Sequence, residues 1–347
     1  MSNGERWKQL RRFTLTTVRD FGMGRKAMDS WIQEESTQMI GRFHSFNAKP
    51  VDPTFLLSQT VSNVICCLVF GERFVYEDKQ FVKLLEAFNS FIKFNSSPLY
   101  NIMPWLLDRL PGYHKTVFQE IDDVREFCRV KIEEHRKTLD PASPRDFIDC
   151  FLMRMNQEND NADSEFHFEN LWSTVLNLFA AGSETTSSTI RFALSIFIKY
   201  PHIQKKMQEE IDAVIGQGRS PNMDDRKSLP FCDAALHEGT FIFSVLHSVL
   251  KGEKDWATPL RFNPEHFLDH NGNFKKNPAF LPFAIGKRSC PGESLARMEI
   301  FIFVVSLLQH FSFSCSGGPD SINLTPEAGG FGNVPRKYEI IATPRSL

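Results

Sequence analysis

Hydrophobic and polar positions along this chain follow the helical period far more often than the strand period. Asn3 stands as a candidate N-cap ahead of Trp7-Lys-Gln-Leu-Arg-Arg12, and the same style of pattern runs from Ala27 to Phe46. Pro53 to Phe70 is apolar at helical spacing and stops at Gly71. Phe81 to Phe94 is amphipathic, and Val117 to Leu139 reads as a charged surface helix ending before Pro141 and Pro144. Asp146 to Gln157 predicts a shorter helix, followed by an acidic, Asn-rich loop from Glu158 to Ser164.

The longest candidate spans Phe168 to Tyr200, without proline and with the single glycine Gly182. At ~1.5 Å per residue it would extend about 48 Å. Its ends are apolar, but its middle reads Ala180-Ala-Gly-Ser-Glu-Thr-Thr-Ser-Ser-Thr189, which is poor helix material. Placing Glu184 and two threonines there is costly unless they serve a purpose. Helical threonines can bond back to the carbonyl four residues earlier, and Gly182 admits close approach to the backbone.

Pro201 to Ile215 predicts a charged helix and Gly216 to Pro230 a turn-rich stretch. Beyond Ala257 the chain is rich in Pro, Asn and Gly. Leu295 to Phe311 interrupts it as a helix apolar on nearly every face, and therefore buried. Phe311 to Cys315 and Tyr338 to Thr343 alternate as strands do. The pattern shows no repeat and no linker, so the expected architecture is mainly α with a small β component, in a single domain over residues 1–347.

Composition narrows the partners. The 347 residues carry 40 Lys+Arg against 42 Asp+Glu, for a net charge of −2, which leaves no basic excess for nucleic acid. The 33 phenylalanines against 5 Tyr and 5 Trp point to a large apolar interior or cavity. The cysteines at 66, 67, 128, 150, 232, 290 and 315 show no C-x-x-C pairing, as expected of reduced thiols facing the cytosol. The first residues lack the apolar region of a signal peptide or membrane anchor. The longest apolar run, from Ile300 to Leu308, is too short to span a bilayer. Two glycosylation sequons, at Asn95 and Asn323, read as fortuitous without a secretory signal.

The sharpest chemical signal is Phe283-Ala-Ile-Gly286-Lys-Arg288-Ser-Cys290-Pro-Gly292, of the form F-x-x-G-x-R-x-C-x-G. Each position has a mechanical role if Cys290 is the axial thiolate of a haem iron. Gly286 permits a tight turn, Gly292 lets the following helix come close to the porphyrin, and Phe283 packs beside the sulfur. Arg288 can pair with a propionate through a charge-assisted bond worth about 1.5–3 kcal/mol. A structural cysteine in a turn before a helix is the alternative for Cys290 considered alone.

The motif resembles the haem-binding loop of the cytochrome P-450 superfamily, and other segments agree in the same order. Ala181-Gly-Ser-Glu-Thr-Thr186 resembles the family's oxygen-activating motif in its long central helix. Trp7-Lys-Gln-Leu-Arg11 is similar to the W-x-x-x-R helix that contacts propionates, and Pro259 to Phe267 is similar to the segment before the haem loop, with His266 where many members carry Arg. Pro144-Arg-Asp-Phe-Ile-Asp149 and Tyr200-Pro-His-Ile203 are closest in wording to vertebrate microsomal family-two members.

The resemblance implies the cytochrome P-450 fold and a haem–thiolate monooxygenase that inserts one oxygen atom of O2 into an apolar substrate such as a xenobiotic, fatty acid or steroid. It implies haem b ligated by Cys290, with Trp7, Arg11, Ala181, Phe283, Arg288 and Gly292 around it. Thr185 and Glu184 would handle protons, and Phe179, Ala180, Phe331 and Val334 would line the substrate pocket. Electrons would come from NADPH–cytochrome P-450 reductase, with cytochrome b5 as a candidate second donor, at the cytosolic face of the endoplasmic reticulum membrane. The chain has no G-x-G-x-x-G after a strand and binds no dinucleotide itself.

Two departures stand against that pattern. Family members run to about five hundred residues, so the membrane anchor, first helices and part of the sheet are expected to be missing. The E-x-x-R motif is also broken: Leu236-His-Glu238 continues as Gly239-Thr-Phe241, with Phe241 at the Arg position. Breaking a buried ion pair on one side costs about 3–5 kcal/mol, and His266 is the substitute partner within the chain. A truncated or alternatively spliced form that binds haem without turnover, or does not function, is the competing expectation.

Overall fold

Helix formation follows the sequence pattern closely in the computed structural model, which describes residues 3–20, 26–95, 105, 109, 111–239, 254–258, 261–329 and 332–345. The helices labelled here are α1 (Gly4–Asp20), α2 (Lys26–Ser45), α3 (Thr54–Phe70), α4 (Lys79–Asn95), α5 (Tyr113–Thr138), α6 (Phe147–Gln157), α7 (Phe168–Lys199), α8 (Pro201–Val214), α9 (Pro230–Gly239) and α10 (Glu293–His310). Four short strands close the chain: β1 (Phe311–Ser314), β2 (Glu327–Gly329), β3 (Gly332–Val334) and β4 (Ile341–Pro344). Among the described residues no helix is long and apolar enough to cross a membrane. The chain sorts into two compact units, residues 1–28 with 62–183, and residues 29–61 with 184–347.

In the first unit phenylalanine does most of the packing. Phe81, Phe147, Phe151 and Phe179 are fully buried, and Phe13 of α1 meets Phe147, Phe151 and Phe166 edge-on at 5.6, 5.3 and 5.1 Å. Edge-to-face rings at such distances add about 0.5–1.5 kcal/mol beyond their buried area. Asp146 caps α6 by accepting from the Asp149 backbone N–H. Its other oxygen lies where a Cβ on Gly71 would come within 2.7 Å, and Gly71, at φ +69, ends α3 in the left-handed region. The sequence stop at Gly71 therefore has two causes, backbone conformation and this carboxylate.

The second unit is organised on α10, whose residues from Met298 to Gln309 are all buried. A helix apolar all round must be enclosed by neighbours, and α8 and α9 pack on it. α8 fixes the sheet through Gln204, which donates to Phe313 O at 3.0 Å, and Gln208, which donates to Phe311 O at 3.0 Å. β1 pairs antiparallel with β4 in the register Phe311↔Pro344 to Ser314↔Ile341. The β2–β3 hairpin, Glu327↔Val334, was not marked by any alternation in the sequence. The two segments, Glu327-Ala-Gly329 and Gly332-Asn-Val334, are too short to carry an alternating hydrophobic face.

Candidate functional site

Cys290 sits at the end of a tight loop that leads directly into α10. Ala284 and Gly286 both have positive φ, 56° and 81°, and Gly286–Arg288 forms a 3-10 turn. The Cys290 N–H donates to Phe283 O at 2.9 Å and closes the loop. Gly292 is the N-cap of α10, and a Cβ there would lie 3.9 Å from the Cys290 sulfur. The thiol is thus held at the positive end of a helix, where negative charge is favoured.

That thiol is exposed, whereas Cys66, Cys128 and Cys232 are buried. Burial pushes the Cys128 thiol up to about 12 and, with Glu210 beside it, raises Cys232 well above its ordinary value. Both are structural. Ile285, next to the Cys290 loop turn, is 71% exposed, and Lys287 and Arg288 are exposed as well. The loop therefore offers one sulfur donor with apolar and cationic side chains around it.

This donor set has a chemical consequence. Among the described residues the one cluster of three metal-capable side chains is His135, Asp146 and Asp149, in the first unit. Cys290 alone cannot hold a bare ion, which needs several protein ligands. It does suit a metal macrocycle that brings its own in-plane donors and asks the protein for a single axial ligand. The residues of the loop fit a haem on that ground.

α7 carries the second set of candidates. In the second unit Glu184 Oε1 accepts from Ser188 Oγ at 2.9 Å, Glu184 O accepts from Ser187 Oγ at 3.2 Å, and Thr185 O accepts from Thr189 Oγ1 at 2.9 Å. These bonds, with their reach of three and four residues, satisfy the hydroxyls of Ser187, Ser188 and Thr189 inside one continuous helix. Thr185 is exposed and Thr186 is buried. Thr186 shares a hydrogen bond with Glu299 of α10, a fully buried carboxyl that desolvation pushes well above the usual carboxylate range. Glu299 is a buried acid behind the Glu184–Thr186 turn, and an apolar helix pattern gives no reason to anticipate it.

In the first unit Ala180 is half-buried, Ala181 is exposed and Phe179 is fully buried, stacked on Phe88 at 4.6 Å. The close neighbour of Gly182 is Ile65 of α3: a Cβ on Gly182 would stand 2.6 Å from its Cδ1. The Arg11 guanidinium lies 5.8 Å over the Trp7 ring, as their spacing of four on α1 requires. Val334 is half-buried in β3, and Phe331 lies outside the described residues.

Around the broken E-x-x-R motif the second unit shows what replaces the arginine. His266 Nδ1 lies 3.2 Å from Glu238 Oε2, and the Asn263 N–H donates to Glu238 Oε1 at 3.3 Å. The Thr258 backbone N–H donates to His266 Nε2 at 3.1 Å. A backbone N–H can only donate, so Nε2 is an acceptor and the ring is neutral, with its proton on Nδ1. Glu238 has gained a partner but no cation. Burial raises it above the usual carboxylate range, against the lowering pull of His266 and Asn263. Phe241 lies outside the described residues.

Comparison with known proteins agrees with the geometry. The family model described as Cytochrome P450 matches residues 1–239 and 238–342, in two pieces that meet at Glu238 and Gly239. Cytochrome P450 2G1 of Oryctolagus cuniculus is 44% identical over 99% of this chain and 76% of its own length. Cytochrome P450 2C23 of Rattus norvegicus is 44% identical and cytochrome P450 2C8 of Homo sapiens 43% identical, each over 99% of this chain and 76% of its own length. The match to the rabbit protein extends over 377 residues where this chain has 347.

Proposed function

Because the chain belongs to the cytochrome P450 family, we propose that Cys290 is the axial thiolate of a haem b in a monooxygenase of apolar organic substrates. The carrying observation is an exposed sulfur in a loop closed by Cys290 N–H to Phe283 O, at the start of a buried helix. When bound, the haem supplies reductive activation of O2 and delivery of one oxygen atom to the substrate. The protein's part is to hold the cofactor and to control protons and water.

Cys290, Phe283 and Gly292 hold the thiolate side. Trp7, Arg11 and Arg288 serve the propionates, where charge-assisted bonds from arginine are strongest. Thr185 Oγ1 presents a proton donor from an exposed position on α7. Glu184, its carboxylate steadied by Ser188, replenishes that proton through water. Phe179, Ala180, Ala181, Phe331 and Val334 are assigned to substrate and oxygen contact. Electrons come from NADPH–cytochrome P450 reductase, with cytochrome b5 as an alternative donor, at the endoplasmic reticulum membrane. Xenobiotics, fatty acids and steroids share the apolar character such a pocket selects.

A second reading is favoured by one observation, the break at Glu238 with a neutral His266 in place of the family's arginine. On that reading the chain binds haem without turnover. The test is the chain expressed with haem, reduced with dithionite and exposed to CO. A thiolate-type Soret band with reductase-dependent oxidation supports the enzyme, and the band without turnover supports the binder. A chain that takes up no haem, or a Cys290→Ser variant with an unchanged band, refutes the ligand assignment.

A further inference from the structure

Behind the Cys290 loop, in the second unit, a small opening of about 20 Å³ is lined by Arg226, Asp233, His237, Phe283, Arg297 and Phe301, among others. Two of these side chains connect α9 to the loop. His237 Nδ1 lies 2.7 Å from Asp233 O, one turn back on α9. A carbonyl can only accept, so Nδ1 carries the proton. His237 Nε2 lies 3.0 Å from Arg297 Nη1. Guanidinium nitrogens only donate, so Nε2 accepts. The ring is therefore neutral, in a single tautomer, and both of its nitrogens are used.

Arg297 continues the connection. Its Nε donates to Glu293 Oε1 at 3.0 Å, one turn earlier on α10, and its guanidinium carbon lies 5.0 Å over the Phe283 ring. Phe283 O is the acceptor that closes the loop on the Cys290 N–H at 2.9 Å. The ring of His237 is fixed in turn by Phe267, Phe274 and Phe280, with centroids at 5.4, 4.6 and 5.2 Å.

We infer that His237 is a positioning residue for Cys290, acting through Arg297 and Phe283, and that only its neutral Nδ1–H form performs this task. The inference rests on the haem–thiolate reading above. Protonation at Nε2 would set a cationic ring against a guanidinium 3.0 Å away and remove the acceptor that holds it. The charged and titratable groups facing the ring are few. Asp233 and Glu238 belong to its own helix, Arg226 comes from the 3-10 turn Met223–Ser228 and is paired with Asp233, and Arg297 and Glu293 come from α10. From the segment 261–280 the neighbours are the three phenylalanine rings, while His266 turns to Glu238.

The conservative replacement is His237→Gln, whose amide oxygen can accept from Arg297 and which cannot be protonated near neutral pH. His237→Ala removes the acceptor. Arg297→Lys keeps the charge but cannot bond His237 and Glu293 and cover Phe283 together. Each is compared with the haem-loaded wild type, reduced by dithionite so that no electron donor intervenes. The readouts are the fraction of thiolate-type CO complex and haem retention, followed from mildly alkaline to mildly acidic pH.

The wild type is expected to lose thiolate-type complex on acidification. His237→Gln should retain it with a flatter pH profile, and His237→Ala and Arg297→Lys should lower haem retention about 10-fold at alkaline pH, as for other residues that support a metal ligand, with the gap to the wild type closing on acidification. Should His237→Ala fail to fold, the flattened profile of His237→Gln decides the matter. A His237→Gln profile that falls with pH as the wild type does, or a folded His237→Ala with wild-type retention, overturns the inference while leaving the haem–thiolate reading intact. A wild type with no thiolate-type band overturns both.

Discussion

Replacing Glu238 by glutamine should stabilise the protein more as the pH rises, the opposite of what an ion-paired carboxylate would give. The Glu238 side chain is only 13% exposed and that of His266 only 6%. Its two partners are a neutral imidazole N–H at 3.2 Å and a backbone N–H at 3.3 Å, both at the long end of the hydrogen-bond range. Burial wins, and the carboxyl is raised above its ordinary value. A raised group contributes stability that is complete below the unfolded value, about 4.3 for glutamate. It is lost as pH rises through the folded value, at about 1.4 kcal/mol per pH unit.

Glutamine carries no such dependence, so the Glu238→Gln minus wild-type difference isolates the residue from carboxylates of opposite sign. Asp149 and Asp233 are examples: burial raises each, but Arg145 in one case and His237 with Arg226 in the other leave it lowered. The assay is thermal unfolding of haem-loaded protein at a series of pH values. The melting advantage of Glu238→Gln should grow from about pH 4.5 upward and then level off. Supplying a cation at the described partner, by His266→Arg, should reverse the trend. A difference that is flat, or that shrinks with rising pH in the wild-type background, would refute the tautomer argument, because it would mean that His266 is a cation.

His135 gives the complementary case: its Nδ1 lies 2.7 Å from Lys131 O and its Nε2 2.7 Å from Asp146 Oδ2, so both nitrogens donate and the ring is an imidazolium. Burial opposes that charge, but Asp146, the Lys131 carbonyl and Asp149 raise the histidine above its ordinary value. Its stabilisation relative to His135→Gln should be full below about pH 6.5, the unfolded value, and fade as pH rises through the folded one. Melting curves at acid and alkaline pH check the sign. Gly182→Ala should destabilise by about 1–3 kcal/mol through overpacking on Ile65. Ile65→Val removes the Cδ1 in question, so the double variant should recover part of the loss, and additivity of the two would contradict the contact.

The chain's helices were legible because burial is periodic. α3, α7 and α10 begin or end within a few residues of the positions that apolar spacing, Gly71 and Pro201 mark. The F-x-x-G-x-R-x-C-x-G loop was legible because several unusual backbone and side-chain demands fall in ten consecutive positions. The supports of that loop were not. His237 and Arg297 are sixty positions apart, and each alone reads as an ordinary helix residue. Glu299 lies in a run so apolar that a charged letter suggests an exposed side, whereas the fold buries it and desolvation raises it above the usual carboxylate range. What sequence spacing misses is a pair formed by tertiary packing, and a charge state set by it.

The same packing bears on the break at Glu238. Ala234 of α9, Trp256 and Phe267 form a buried cluster, with Leu268, Phe274, Ala279 and Phe280 partly buried against it. Residues on both sides of the break therefore share a core, although the family pattern is interrupted between them. Hydrophobic contact of this kind is nondirectional and tolerates a shortened connection, whereas the Glu–Arg pair depends on one side chain at one position. The break in the family pattern should thus affect the electrostatics around Glu238 before it affects the attachment of α9. A protein that melts cooperatively yet shows an inverted pH dependence at Glu238 is the expected result, and one in which α9 exchanges its amide protons as fast as the exposed loops would contradict the shared core.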